Sequence, residues 1–375
     1  WLTYPGNNFD YHMIPWKKGI EKGALAAMGY YSGTYYDSLN VNYSYHVSTE
    51  ILYRQLGFKG AICTDWGVVS RGPLKPSLQG KTTLKDNMEM IINAGVDQMG
   101  SETNNQLVLE LVQEGKVTEE RVNEAAGRIL QWHFKLGLFE NPYVDPEAAR
   151  TIVQSEKNQK LGYEAQLKSI VLLVNEGVLP AAENTRIYVD GIDKEIASGY
   201  ATLVENPRDA DLILVRTTTE EERSFQGFGG GMPGAGNRPG QGNARRPQMN
   251  PGQAAAAMNP FAAREVNIDF PAAKWDKIKT LARTGKPVVV AFNPAGSSCV
   301  LPSDLRNVVK GSIMIFDALD NALLDVVFGK FNPVGKLTFE IPSSMDAVRK
   351  QLEDVPFDSE NPAFSFGYGL SYSSN

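Results

Sequence analysis

Cysteine and histidine are scarce in this chain, and their scarcity excludes several chemistries. Among 375 residues there are two cysteines, Cys63 and Cys299, and three histidines, His12, His46 and His133. Two thiols so far apart give neither a disulfide framework nor metal-ligand spacing. Three scattered imidazoles give poor support to a zinc site or a Ser-His-Asp triad. No run of about 18 apolar residues occurs, so no segment reads as a bilayer-spanning helix. The net charge is −6, which weighs against nucleic acid or an anionic membrane as the partner. An initiator methionine is also missing. The chain opens on Trp1, and Trp1-Leu-Thr-Tyr-Pro-Gly-Asn-Asn reads as the middle of a domain, so a fragment is expected. The lack of a visible signal peptide then carries no information.

What is present is an ordinary globular mix, 42% hydrophobic and 21% charged, long enough for two domains. Residues 1 to about 140 alternate short apolar strands with helical stretches, the pattern of α/β layering. Strands are expected at 24–30, 60–64 and 94–99, and helices near 14–22 and at 49–56, 84–93, 106–114 and 119–134. The last of these starts at the N-cap Thr118 and stops at Gly137. A linker around 141–168, opening on Glu140-Asn-Pro-Tyr-Val-Asp-Pro146 and turning helical, leads to a second α/β region at 169–375. Its strands are expected at 169–175, 186–190, 211–217, 287–293, 312–317 and 336–341. They are rich in Val, Ile and Leu on both faces, as strands covered by helices on each side should be. Helices at 272–284 and 321–329 supply part of that cover.

From about 224 to 263 the composition shifts to Gly, Pro, Asn and Ala. Between Arg223 and Arg264, both included, there are five arginines and no acidic residue. Such a stretch buries too little apolar surface to fix its backbone, and a largely disordered insertion is expected.

The sharpest chemical feature is Thr64-Asp65-Trp66, closing the apolar run Phe58–Cys63. Aspartate is expensive inside a buried strand, yet at the carboxyl end of a barrel strand a carboxylate is where chemistry happens. Trp66 offers a flat apolar face of the kind that stacks on sugar rings. The structural alternative is an N-cap at a strand-to-loop turn. Cys63, two residues earlier, points to the same side of an ideal strand as Asp65.

Gly57-Phe-Lys-Gly-Ala-Ile-Cys-Thr-Asp-Trp-Gly67 resembles the nucleophile strand of glycoside hydrolase family 3, the β-glucosidase family. Ala27-Met-Gly-Tyr-Tyr31 resembles the preceding strand and Ala94-Gly-Val-Asp-Gln-Met99 the following one. Arg128–Tyr143 is similar to the helix that closes the barrel, and Ser169–Asn175 to the entry of the second domain. Asp325–Gly335 and Phe366–Tyr372 resemble that domain's end. The matches run in family order over nearly the whole chain.

The resemblance implies the C-terminal part of a (β/α)8 TIM-like barrel at 1–140, followed by an α/β sandwich domain. The family's earlier barrel, with a Lys-His pair and a sugar-holding arginine, is not in this sequence, and the 375 residues alone are expected to be inactive. The implied activity is a retaining, exo-acting β-glucosidase acting on β-linked gluco-oligosaccharides or aryl and alkyl β-glucosides, with no cofactor or metal. Hydrolysis with retention needs two carboxyl groups about 5–5.5 Å apart. By resemblance Asp65 is the nucleophile, and Trp66, Tyr31 and Met28 line the sugar site. Tyr30 is open as the aligned residue in place of Tyr31, and Met28 is equally readable as a core methionine. The acid/base glutamate falls after the strand 211–216, in Thr217-Thr-Thr-Glu-Glu-Glu-Arg223. Glu220 fits best by distance from Arg216, with Glu222 and Glu221 as alternatives. The family's usual Asp-Arg pair is absent there, and a solvated acidic turn is the plain reading of each single glutamate. A β-xylosidase on the same scaffold and a non-catalytic sugar-binding fragment stand as alternatives. A homodimer is left open, a periplasmic or secreted setting follows from the family, and Asp97 and His133 read as structural.

Overall fold

The structure is a computed structural model that describes residues 4–219, 267–294 and 298–372. Glu220, Glu221, Glu222 and the insertion at 224–263 lie outside the described residues. The chain divides into two compact units: Trp1–Pro146 with Leu352–Pro356, and Glu147–Gln351 with Phe357–Asn375. The division at Pro146 falls inside the expected linker. The return of 352–356 to the first unit has no counterpart in the sequence reading.

In the first unit, β1 (Ala26–Gly29) and β2 (Ala61–Thr64) pair in parallel, with Met28 opposite Cys63 and Gly29 opposite Thr64. The expected third strand at 94–99 does not form. Ala94 ends the helix Leu84–Ala94, and Gly95 turns the chain with φ 105°, a left-handed cap that a side chain resists. Only Gln98 remains in position to bridge, in parallel, to Cys63. That helix starts on a capping box in which Thr83 and Asp86 satisfy each other's backbone N–H groups. It buries Met88, Ile91 and Ile92 in a core shared with Tyr43, Ile62, Val68 and Leu111. The helices Ile14–Glu21, Asn105–Gln113 and Glu119–Lys135 stand close to their expected bounds. The segment expected as a helix at 49–56 is π-helical and longer, His46–Gln55.

One buried carboxylate ties this unit together. The Asp97 side chain is fully buried. Its Oδ1 accepts from Arg121 at 2.9 Å and Arg128 at 3.0 Å, and its Oδ2 from Tyr53 Oη at 2.6 Å and the Ile62 N–H at 3.0 Å. A buried charge is tolerable when paired and hydrogen-bonded in this way. Burial, and then the bond to Asp97, raise the Tyr53 phenol, which stays a donor.

The second unit contains one six-stranded mixed sheet in the order β3-β8-β7-β6-β4-β5. Its strands are β3 (Val171–Asn175), β4 (Arg186–Asp190), β5 (Thr202–Leu203), β6 (Leu212–Thr218), β7 (Val288–Asn293) and β8 (Gly311–Met314). All neighbours run parallel except β3, which is antiparallel to β8 at one edge. Successive residues feed opposite faces: Leu212 and Leu214 belong to one core, Ile213 and Val215 to the other. Both faces are apolar, as parallel strands between helices require.

Two expected strands fall short here. β8 stops at Met314 because Phe316 and Asp317 turn left-handed, with φ 44° and 59°. The Asp317 N–H is held by Asn293 Oδ1 at 2.7 Å. The segment 336–341 is not a strand. Leu337 and Ile341 bond to Tyr368 and Phe364 at two separate points, and only the Ile341–Phe364 bridge forms.

Candidate functional site

Asp65 follows directly on β2, and the backbone before it is pinned from one side. The Thr64 N–H donates to the Gln98 carbonyl at 2.9 Å, and the buried Thr64 Oγ1 accepts from the Gly100 N–H at 2.8 Å. Gly100 is required by close approach: a Cβ there would lie 2.7 Å from the Thr64 carbonyl oxygen and 2.8 Å from the Trp66 ring. The half-buried Asp65 carboxylate accepts the Trp66 N–H on Oδ1 at 2.7 Å. It is not an N-cap. The following short helix, Val68–Arg71, is capped by Gly67, whose left-handed φ of 76° reverses the chain. The Gly67 N–H in turn donates to Ser101 Oγ at 3.1 Å.

Of the two adjacent tyrosines, Tyr31 is the one that meets this turn. Its hydroxyl donates to the Trp66 carbonyl at 2.9 Å and faces the Asp65 carboxylate. Burial first, then the hydrogen bond to Asp65 and its negative charge, raise the Tyr31 phenol above its ordinary value, while Arg71 pulls it the other way. A phenol so raised remains protonated, and therefore a donor, through the neutral range. The Arg71 guanidinium lies 4.9 Å from the Tyr31 ring centroid, a cation–π arrangement. The Tyr31 backbone is held by the buried Asn40, whose amide donates to its carbonyl at 2.8 Å; Asn42 does the same for Tyr30 at 3.0 Å. Sequence reading missed Arg71, Ser101, Asn40 and Asn42. The Asn40-Val-Asn42 pair carries a local signal, since asparagines close to a tyrosine pair are apt to fix loop backbone.

Trp66 is 46% exposed, and its ring lies against Gly100. Met28 is 50% exposed, so it is not a core methionine. It sits on β1 opposite Cys63 and, with Tyr30, Tyr35 and Tyr36, lines an apolar cavity of about 230 Å³. Burial, and then the charge of Asp65, raise the Cys63 thiol above its ordinary value. The structure thus brings Asp65, Trp66 and Tyr31 together and sets Met28 one strand away. Among the described residues no group of three or more His, Cys, Asp or Glu could hold a metal ion, and no helix is long and apolar enough to cross a membrane.

Residues 6–132 match the description "Glycosyl hydrolase family 3 N terminal domain", and residues 170–372 match "Glycosyl hydrolase family 3 C-terminal domain". The "Probable beta-glucosidase C" of Aspergillus flavus is 36% identical over 99% of this chain and 55% of its own length. "Beta-glucosidase C" of Emericella nidulans is 33% identical over 100% and 57%. The "Periplasmic beta-glucosidase/beta-xylosidase" of Dickeya chrysanthemi is 31% identical over 98% and 55%. The chain therefore spans about half the length of the curated relatives it matches. Among solved structures, a beta-glucosidase from Listeria innocua in complex with glucose superposes with a TM-score of 0.72 at 19% identity, over 96% of this chain and 53% of that one. That likeness bears on the fold alone.

Proposed function

The chain belongs to glycosyl hydrolase family 3, and we propose that it carries the nucleophile of a retaining, exo-acting β-glucosidase. The substrates are oligosaccharides or simple β-glucosides with a terminal, non-reducing β-D-glucosyl residue. The observation that supports this reading is the Asp65 carboxylate at the end of a braced strand, faced by the Tyr31 phenol and followed directly by the exposed Trp66. In this reading the first unit is the C-terminal part of a (β/α)8 barrel and the second an α/β sandwich domain.

Asp65 attacks the anomeric carbon, and the glycosidic oxygen leaves with a proton from a second carboxyl group. A covalent glycosyl ester forms, which water then cleaves with the second group acting as base. The Tyr31 phenol, which bonds the Trp66 carbonyl and faces the carboxylate, holds the attacking oxygen in line, since misplacement of a nucleophile is costly. Trp66 packs on the sugar ring, and Met28 contributes an apolar wall. Glu220 is the first candidate for the second carboxyl group, with Glu222 and Glu221 as alternatives. The chemistry needs only these two carboxyl groups and water.

The test is covalent trapping with an aryl 2-deoxy-2-fluoro-β-glucoside, followed by peptide mass spectrometry. It is run on these 375 residues and on a chain of the relatives' length that includes them. The ester is expected on Asp65 in the longer chain, with no turnover by the 375 residues alone; an ester on any other residue would sink the reading. The Dickeya relative's name favours a second reading, β-xylosidase activity at the same site. A higher kcat/KM on nitrophenyl β-xyloside than on the glucoside would establish it.

A further inference from the structure

The last residues described before Glu220 are held by a polar clamp at the carboxyl ends of neighbouring strands. β6, β7 and β8 run parallel, side by side. β6 closes with Thr218 opposite Asn293, the last residue of β7. The ladder then extends one step further, because the Thr219 N–H donates to the Asn293 carbonyl at 3.0 Å. Thr219 is 4% exposed, and its side chain is hydrogen-bonded to the thiol of the buried Cys299. The residue that precedes three consecutive glutamates is thus fixed through both its backbone and its side chain.

Asn293 is clamped in its turn. Its buried side chain donates from Nδ2 to Asp317 Oδ1 at 2.5 Å and accepts the Asp317 N–H on Oδ1 at 2.7 Å. To present both groups, the chain after β8 turns left-handed at two successive residues that carry side chains, Phe316 and Asp317. That conformation is unfavourable for a residue as bulky as phenylalanine. Strain of this kind persists only where the surroundings over-determine it, and it gathers at functional sites. The two-point contact between amide and aspartate is directional, as apolar packing is not, and it fixes the residue whose carbonyl holds Thr219. We infer that Asn293 and Asp317 are positioning residues for the acid/base glutamate, fixing the point from which the chain leaves β6 toward Glu220. The inference rests on the proposed glucosidase activity and adds to it two residues outside the glutamate triplet.

The test uses a chain of the relatives' length that includes these residues, and compares kcat/KM on two substrates. The alkoxide of octyl β-glucoside leaves only with a proton from the acid, whereas 2,4-dinitrophenolate leaves with little help. Asp317→Gly suits the left-handed turn and removes the carboxylate. It should lower kcat/KM on octyl β-glucoside about tenfold to a hundredfold, the scale of a misplaced catalytic group, and leave 2,4-dinitrophenyl β-glucoside within about twofold. Asp317→Asn keeps an acceptor for Asn293 and also tolerates a left-handed φ, so it should retain most of the activity on both. Asn293→Ala breaks the clamp from its other side and should reproduce the selective loss; it decides the matter if Asp317→Gly fails to fold. Equal loss on both substrates, loss on neither, a loss in Asp317→Asn as large as in Asp317→Gly, or an unaltered chain that hydrolyses only the dinitrophenyl glucoside would each overturn the inference and leave the glucosidase standing. Failure of the unaltered chain to hydrolyse either glucoside would instead overturn the glucosidase reading, and this inference with it.

Discussion

The two units hold their strands in opposite ways. The first has a parallel pair of four-residue strands, braced by buried polar groups: Asp97 with Arg121, Arg128 and Tyr53, and the asparagines 40, 42 and 87. The second has six strands around an apolar interior, with polar side chains such as Asn175, Arg216 and Asn293 bonding only toward the strand ends. Leu173, Ile187, Ile213, Leu214, Val290 and Phe292 are all fully buried. A carboxylate at a strand end needs fixed dipoles and donors around it, and these must be anchored in turn. Apolar packing is non-directional and cannot aim a side chain, whereas a hydrogen-bonded network can. Directional bracing therefore concentrates where Asp65 must be aimed, and the sheet that only has to persist is built from Val, Ile and Leu.

Substitutions can break this contrast or sharpen it. The largest expected effect is on chemistry. Asp65→Ala in a chain of the relatives' length should lower aryl-glucoside turnover by roughly 10⁴-fold or more, since it removes the covalent step. Unchanged far-ultraviolet dichroism would show that the fold survives. Next comes Asp97→Ala, which strands two buried guanidinium groups and should cost about 3–5 kcal/mol. Hydrogen exchange should show that loss in β1 and β2 with β6 and β7 unaffected; equal loss in both units would erase the contrast. Leu214→Ala should do the reverse at about 2–5 kcal/mol, by opening a cavity in the second unit. Tyr31→Phe should lower kcat about tenfold, the worth of one hydrogen bond to a charged group, with little change in the midpoint of thermal unfolding. An equal fall in stability would make Tyr31 a packing residue.

The smallest effect is alkaline. Burial first, then the bond to Asp325, push the Tyr200 phenol up to about 12, against about 10 in the unfolded chain. Its contribution is complete below pH 10 and is lost as pH rises from about 10 to 12. Tyr200→Phe should flatten that part of the second unit's stability profile. An unaltered slope would remove Tyr200 from the account.

Legibility in the sequence followed the same division. Strands whose partners lie on both sides announce themselves as apolar runs, and β4 was expected over the residues it occupies, 186–190. β5 is two residues long and was not expected, because two residues carry no periodicity. At 94–99 and 336–341 the composition of a strand is present, but a left-handed Gly95 in one, and backbone bonds confined to Leu337 and Ile341 in the other, prevent a ladder. Asp65 was legible because a carboxylate after an apolar run is costly anywhere else. Arg71 and Ser101 were not, because their positions relative to Tyr31 and Gly67 arise from folding and leave no local pattern.

The return of residues 352–356 to the first unit bears on the order in which the chain matures. Asp354, 2% exposed, accepts the backbone N–H groups of Gly6 at 2.7 Å and Asn8 at 2.8 Å, while its carbonyl accepts from the Asn8 amide. Burial works against the charged carboxyl, but the N–H groups of Asn8, Gly6 and Asp354 itself, with His12, together hold the pKa below the ordinary value. During synthesis, residues 6–12 thus emerge some 346 positions before the side chain that fastens them. A ribosome must deliver nearly all of the second unit before the first is closed. A stall or a stop codon anywhere in that interval leaves the early segment unclasped, and chaperones meet the first unit as an unfinished body for most of its birth.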